Sequence, residues 1–571
     1  MCGIFALLNQ PNYINMETIN KEFQKGKNRG PEFSKLSSSY MKLILGFHRL
    51  AINGLNEISN QPIVYNDIIL ICNGEIYNYK QLYNYINVKP ETNSDCEVII
   101  HLYIKYGIEQ TLTVLDGVFS FILFDNRINQ QLTNNIFIAR DPFGVRPLYK
   151  LYNIYETYKL DTLYGFASEL KCLEYFYNTN TYNYRLEQFQ PGTYTVLNLS
   201  SKVNSKWEIT IENKPYFIPS FSRTILLNSN LILDIDSNIL INVSTLLNDA
   251  VVKRCMTTDR PIACLLSGGL DSSLIAAMTA NYFSKQNIII ETYSIGLENS
   301  EDIKYAKIVA DYIKTKHYEI IVSEDDMFNA IPEVIKAVES YDTTTIRASI
   351  GNYLIGKYIA TNSKAKVVFN GDGSDELFGG YLYMNKCPDD IEFDKETRRL
   401  LKDIYMFDVL RSDKTISSNG LEPRTPFLDR SFVNYVLSIP PYFRNHKNFN
   451  QCEKYLLRKS FNHNYFENHL KMNLLPCEIL NRTKEAFSDG VSSTGRSLYQ
   501  ILQEKISDKL NQEGKFNKYQ ANIETEKYYY KKIFDDLYPN CSHILPYFWM
   551  PKYTVASDPS ARTLTFYKNS I

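Results

Sequence analysis

The sequence predicts two folded halves of different class: an α+β domain over residues 1–205 and a parallel-sheet α/β domain over residues 241–552. Three observations carry that division. Short apolar runs ending in turn signals crowd the first part of the chain. From about residue 241 onward, long helical patterns alternate with short apolar runs, as happens where helices cross over between parallel strands. Residues 206–240 lose both patterns and read as a connector, and the polar stretch 553–571 reads as a surface tail.

In the front half the apolar opening Met1-Cys2-Gly3-Ile4-Phe5 reads as a first strand. Leu43–Leu45 leads through Gly46-Phe47-His48 to Arg49, and Ile68–Cys72 ends at Asn73-Gly74-Glu75. Asp95 stands at an N-cap position before a helical stretch reaching Tyr106. Phe119–Phe124 and Ile136–Ala139 follow, the latter closed by Asp141-Pro142. In the back half Ile262–Leu266 runs into a Gly-Ser loop and then a helical pattern over Leu274–Phe283. Ile288–Ile295 and Val367–Asn370 are further short strands.

Bulk properties narrow the function. A net charge of −1 over 571 residues argues against a chain held to nucleic acid or membrane by a basic surface. No apolar run is long enough to span a bilayer, and the start shows no secretory pattern. Ten dispersed cysteines without a CxxC pair fit a reducing, cytoplasmic setting. Seven histidines without an HExxH or a His/Cys cluster argue against zinc.

Cys2 carries the front half's chemistry. Removal of Met1 would leave a thiol and a free α-amine on one residue, a nucleophile beside its own base. Amide hydrolysis also needs an oxyanion hole, a carboxylate anchor and an ammonium acceptor. The Asn73 amide and the Gly74 N–H suit the first, the Arg49 fork the second, and Glu75 and Asp95 the third.

The segments MCGIF, RGPE (29–32), GFHRLAI (46–52), CNGEIYN (72–78), LDGVFSFILFD (115–125) and ARDPFGVRPLY (139–149) together resemble the class II glutamine amidotransferase domain. The resemblance implies an N-terminal-nucleophile fold, an αββα sandwich, with Cys2 as nucleophile. It also implies that Arg49, Asn73, Gly74, Glu75 and Asp95 grip glutamine, with Leu50, Ala51, Ile52 and Asn53 beside them. Glu32 departs from the usual Asp after Arg-Gly-Pro, keeping the charge and adding one methylene of reach.

Ser267-Gly268-Gly269-Leu270-Asp271-Ser272-Ser273 lies between a strand and a helix pattern. Glycines allow close backbone approach, and the helix start presents unpaired N–H groups to phosphate. No Walker A motif is present. Asn370-Gly371-Asp372-Gly373-Ser374-Asp375-Glu376 follows another short strand, which puts it at the same sheet edge. Asp271 and Asp375 can together hold Mg²⁺, a hard cation that takes oxygen ligands.

SGGLDSS resembles the pyrophosphate loop of ATP pyrophosphatases, enzymes that adenylate a substrate and release pyrophosphate. Both domains, with Tyr341–Ser349, RTPFLD (424–429), KEAFSDG (484–490), YFWMPK (547–552) and DPSARTLT (558–565), resemble the glutamine-hydrolysing asparagine synthetase family. The substrates implied are ATP, glutamine and aspartate. The same resemblance places Leu266 and Ile295 beside adenosine and Asn370 and Gly371 at the nucleotide. It gives Asp372 to the aspartyl-adenylate step and Lys484 to the charge that develops when ammonia attacks. Asn370 stands where Ser is usual and Asp372 where many members have Glu, which bears on fine geometry. Amidotransferases of purine or glucosamine synthesis share only the front half, and a β-lactam synthetase lacks the N-terminal cysteine. A catalytically retired scaffold would not need Cys2, Asp271, Asp375 and Lys484 intact. The sequence leaves oligomeric state open, a homodimer included.

Overall fold

A computed structural model describes residues 1–571 except 41, 128–132, 155–161, 180–182, 201–204, 218–234, 463–472, 494, 515–518, 565–566 and 568–571. The first half stacks two six-stranded sheets. One runs, edge to edge, Tyr184–Gln188, Tyr149–Asn153, Tyr164–Ala167, Gly3–Leu8, Leu43–Arg49 and Phe33–Tyr40. The other runs Trp207–Pro215, Thr193–Ser200, Thr133–Arg140, Gly117–Asp125, Ile68–Ile76 and Ile63–Tyr65.

Period-two alternation sorts their side chains. Ile4, Ala6 and Leu8 of the first strand meet Ile69, Ile71, Ile122 and Phe124 of the second sheet in a core between the layers. Phe5 and Leu7 point the other way, onto Phe23 of the helix Met16–Gln24. Leu70, Cys72, Phe119 and Phe121 face outward under the helix Val98–Val114. The layers are therefore αββα, as the resemblance implies.

The second half holds a five-stranded sheet ordered Lys316–Ile321, Glu291–Gly296, Ile262–Leu265, Val367–Phe369 and Glu422–Arg424. All its pairings are parallel. The chain winds one way from Ile262–Leu265 and later returns on its other side. The order thus reverses between that strand and Val367–Phe369, and such a crevice is where open parallel sheets bind ligands. No described helix is long and apolar enough to cross a membrane.

Two expected boundaries move. Trp207–Pro215 is not connector but an edge strand, paired with Thr193–Ser200 and anchored by fully buried Trp207. Its other face is solvated, so charged residues interrupt the apolar pattern. The second half opens at Asp236, whose carboxylate caps the helix Ser237–Met256 by accepting from Asn238 N at 2.7 Å. The end is not all surface tail either: Asp558 and Ser560 are buried. Arg347 donates to Asp558 at 2.7 Å, and Ser560 donates to Asp489 at 2.8 Å, so polar residues go inside because they bring partners.

Candidate active sites

Cys2 lies just before the first strand, half-buried, with Sγ 3.6 Å from Leu50 O. Burial pushes its thiol pKa up. Met1, still attached here, is buried; its ammonium donates to Leu421 O at 3.5 Å, and burial pushes its pKa down to about 6.

Asn73 sits on the neighbouring sheet. Among the described residues its amide donates only a long 3.4 Å bond to Ser168 Oγ, and its buried Oδ1 has no partner. The group is loosely held and can turn a donor toward an oxyanion. At Gly74 a Cβ would fall 2.5 Å from Val118 O, so the strand pairing itself demands glycine there.

The two expected ammonium acceptors do converge. Asn53 Nδ2 bridges Glu75 Oε2 at 2.5 Å and Asp95 Oδ1 at 3.4 Å. Burial pushes Asp95 up to about 6. Burial, with Asp95 beside it, holds Glu75 well above the usual range. Asp95 is not the N-cap expected: Ser94 caps the turn, and Asp95 Oδ2 accepts from Ile76 N at 2.6 Å. That bond ties the acidic turn to the strand bearing Asn73. Arg424 of the second half lies 3.4 Å from Glu75.

Arg49 is aimed by its own loop. Its terminal nitrogens donate to Asn60 Oδ1 at 2.7 Å, Asn56 O at 3.1 Å, Asn53 O at 3.3 Å and Gly54 O. Glu32 takes up its extra reach by accepting from Ala51 N at 2.7 Å.

In the second half Leu266, Ser267, Gly269, Asp271, Ser272, Ile295, Asn370, Gly371, Asp372, Asp375 and Lys484 all line one cavity. Gly268 does not; it makes the turn. Its φ is +70°, and a Cβ there would lie 2.4 Å from Ala306 N. Ser272 Oγ lies 3.0 Å from Ser267 Oγ and accepts from Ser267 N at 3.2 Å, tightening the loop against its helix. The two loops touch: a Cβ on Gly371 would fall 2.8 Å from that of Asp271.

The charges in this cavity are ordered. Lys454, nearly fully buried, reaches Asp271 Oδ2 at 2.5 Å and Asp375 Oδ1 at 2.6 Å. Lys484 reaches Asp375 Oδ2 at 2.6 Å, and Ser374 donates to Asp271 Oδ1 at 2.7 Å. Burial alone would raise Asp375, but Lys454 and Lys484 hold it well below the usual range. Burial opposes the Lys484 charge, yet Asp375 and Asp271 keep its pKa raised. Asp372 accepts from Asn370 Nδ2 at 2.8 Å, and burial raises its pKa despite the charge of Arg411. Lys454 and Arg411 escaped the sequence reading because neither lies in a motif. Glu376, kept well above the usual range by burial and Asp408, stood at the edge of one.

An αββα sandwich with Cys2 just before its first strand, joined in one chain to a parallel sheet whose loops line a single cavity, has the build of a two-domain amidotransferase. A glutamine amidotransferase domain model matches residues 1–202, and an asparagine synthase model matches 242–390 and 385–557. Relatives extend over the full length. The glutamine-hydrolysing asparagine synthetase of Gallus gallus is 42% identical over 588 residues, and that of Homo sapiens 39% over 598, each covering 100% of both chains. The chain belongs to the asparagine synthase family.

Proposed function

We propose that the chain makes L-asparagine from L-aspartate, with glutamine as nitrogen donor, through a β-aspartyl-AMP intermediate that releases pyrophosphate and then AMP. The observation that supports this reading is the pairing of two polar clusters, Asn53, Glu75 and Asp95 in the half that carries Cys2 and Asp271, Asp375, Lys454 and Lys484 in the other, on a chain related end to end to glutamine-hydrolysing asparagine synthetases. A cytoplasmic location fits the near-zero net charge and the dispersed thiols, and a homodimer is the assembly to test first.

In this reading the Cys2 thiolate attacks the glutamine amide carbon, and its own α-amine takes and returns the proton. The oxyanion faces the Asn73 amide and the Gly74 N–H, each worth about 3 kcal/mol of barrier. The C–N bond breaks, ammonia leaves and water clears the thioester. In the second site the aspartate β-carboxylate attacks the α-phosphorus of ATP and displaces pyrophosphate. Ammonia then attacks the adenylate, with the Lys484 ammonium placed against the developing negative charge.

Asp271 and Asp375 suit Mg²⁺: both carboxylates converge on one point, where Lys454 Nζ now sits within 2.6 Å of each. Two carboxylates without a full protein cage match an ion that draws its remaining ligands from phosphate and water. When bound, it would neutralise charge on the departing pyrophosphate.

The test is asparagine and pyrophosphate formation by the purified chain with ATP, Mg²⁺, aspartate and either glutamine or ammonium. Both products should appear, and both should require aspartate. Absence of asparagine with both donors would remove the proposal. The acid pair adds a pH signature. Asp95 must be ionised to accept an ammonium, so it serves above about pH 6 and is lost as pH falls through that value. We expect kcat/KM for glutamine hydrolysis to fall on that limb; a profile flat across it would take Asp95 out of the site.

A further inference from the structure

Two residues of the synthetase half reach across to the loop beside Arg49. Arg260 Nε donates to Ala51 O at 2.8 Å, and its NH2 lies 2.8 Å from Glu32 Oε1. Asp259 Oδ2 accepts from Gly54 N at 2.9 Å, while Asp259 N donates to Ile52 O at 2.9 Å. Residues 51, 52 and 54 are thus pinned one after another by two consecutive residues from the other domain. The hold passes directly to the carboxylate anchor. Gly54, whose N–H Asp259 accepts, offers its carbonyl to Arg49, and Asn53 between the pinned residues offers another at 3.3 Å. Glu32 is shared in the same way, between Ala51 N and Arg260.

Asp259 and Arg260 are separated by Pro261 alone from the strand Ile262–Leu265, whose far end opens into the Ser267–Ser272 loop of the nucleotide cavity. One short strand therefore has the glutamine loop at its start and the phosphate loop at its end.

We propose that Asp259 and Arg260 are positioning residues for glutamine. They hold the 51–54 loop, and through it the Arg49 fork, in the geometry that receives the substrate carboxylate, so the glutamine pocket is complete only with the synthetase domain docked against it. The inference rests on the glutamine-hydrolysing reading of the first site. Both residues are at least partly exposed, so truncating them leaves the core intact.

The test compares Asp259→Ala/Arg260→Ala with the parent chain in three assays: glutamine hydrolysis without ATP, glutamine-dependent synthesis and ammonium-dependent synthesis. Loss of three side-chain hydrogen bonds should raise KM for glutamine about tenfold in the first two. Ammonium-dependent synthesis and the KM values for ATP and aspartate should stay within about twofold, because those substrates do not touch the loop. Asp259→Asn keeps an acceptor for Gly54 N and should hold KM for glutamine near the parent value. An unchanged glutamine KM in the double variant overturns the proposal. So does an equal loss with both nitrogen donors, which would place the effect in the strand and phosphate loop. If the parent chain itself hydrolyses no glutamine, the reading of the first site fails, and the variants are not needed to show it.

Discussion

Cys2→Ala should reduce glutamine-dependent asparagine synthesis by at least about a thousandfold while leaving ammonium-dependent synthesis within about twofold. The asymmetry follows from the layout. The thiol sits against Leu50 O in the sandwich domain, whereas Asp271, Asp375 and Lys484 sit at the mouth of a different sheet. Removing one half-buried sulfur leaves no buried charge unpaired, so folding is preserved. The same argument makes a demand on maturation. A retained Met1 would lock the Cys2 nitrogen in a peptide bond and deny the thiol its base, so intact mass should show a chain beginning at Cys2. A burial-raised thiol needs that base more than an exposed one does. If the variant loses both activities together, the two sites are not separable and the nucleophile is misassigned.

What could be read from the sequence was what lies contiguous along it. Ser267–Ser272 and Asn370–Asp375 each follow closely on a strand, and the glycines, hydroxyls and acids there mark them as loops of one cavity without knowledge of packing. The strands of the sandwich were legible for the same reason, since apolar runs such as Ile68–Cys72 and Phe119–Phe124, closed by turn signals, are local. Lys454 was not. It comes from 183 residues beyond Asp271, in no motif, and only the fold shows that it neutralises two acids at once. Arg49 was half legible. Its identity pointed to a carboxylate anchor, but its dependence on Asn53, Gly54, Asn56 and Asn60 arises from a loop whose carbonyls turn inward. Trp207–Pro215 hid because an edge strand with one wet face interleaves charge with its apolar residues. Asp558 looked like tail because a polar residue gives no local sign of a buried arginine waiting 211 positions upstream.

Asp271→Ala should stop pyrophosphate release with either nitrogen donor, by at least about a hundredfold, since it acts before nitrogen enters. Asp271 is one of two carboxylates facing the expected metal and phosphates, and it also accepts Ser374 Oγ, which holds the second loop to the first. Lys454 keeps Asp375 as partner, so its buried ammonium is not stranded and the chain should still fold. Asp271→Asn separates the two roles. The amide can still accept from Ser374 but carries no charge for Mg²⁺ or Lys454. If the charge matters, the Asn variant should be nearly as slow as the Ala variant, and both should retain glutamine hydrolysis at Cys2 without ATP. Should Asp271→Asn release pyrophosphate at the parent rate, Asp271 serves only to join the loops, and the metal must be sought at Asp375 with other partners.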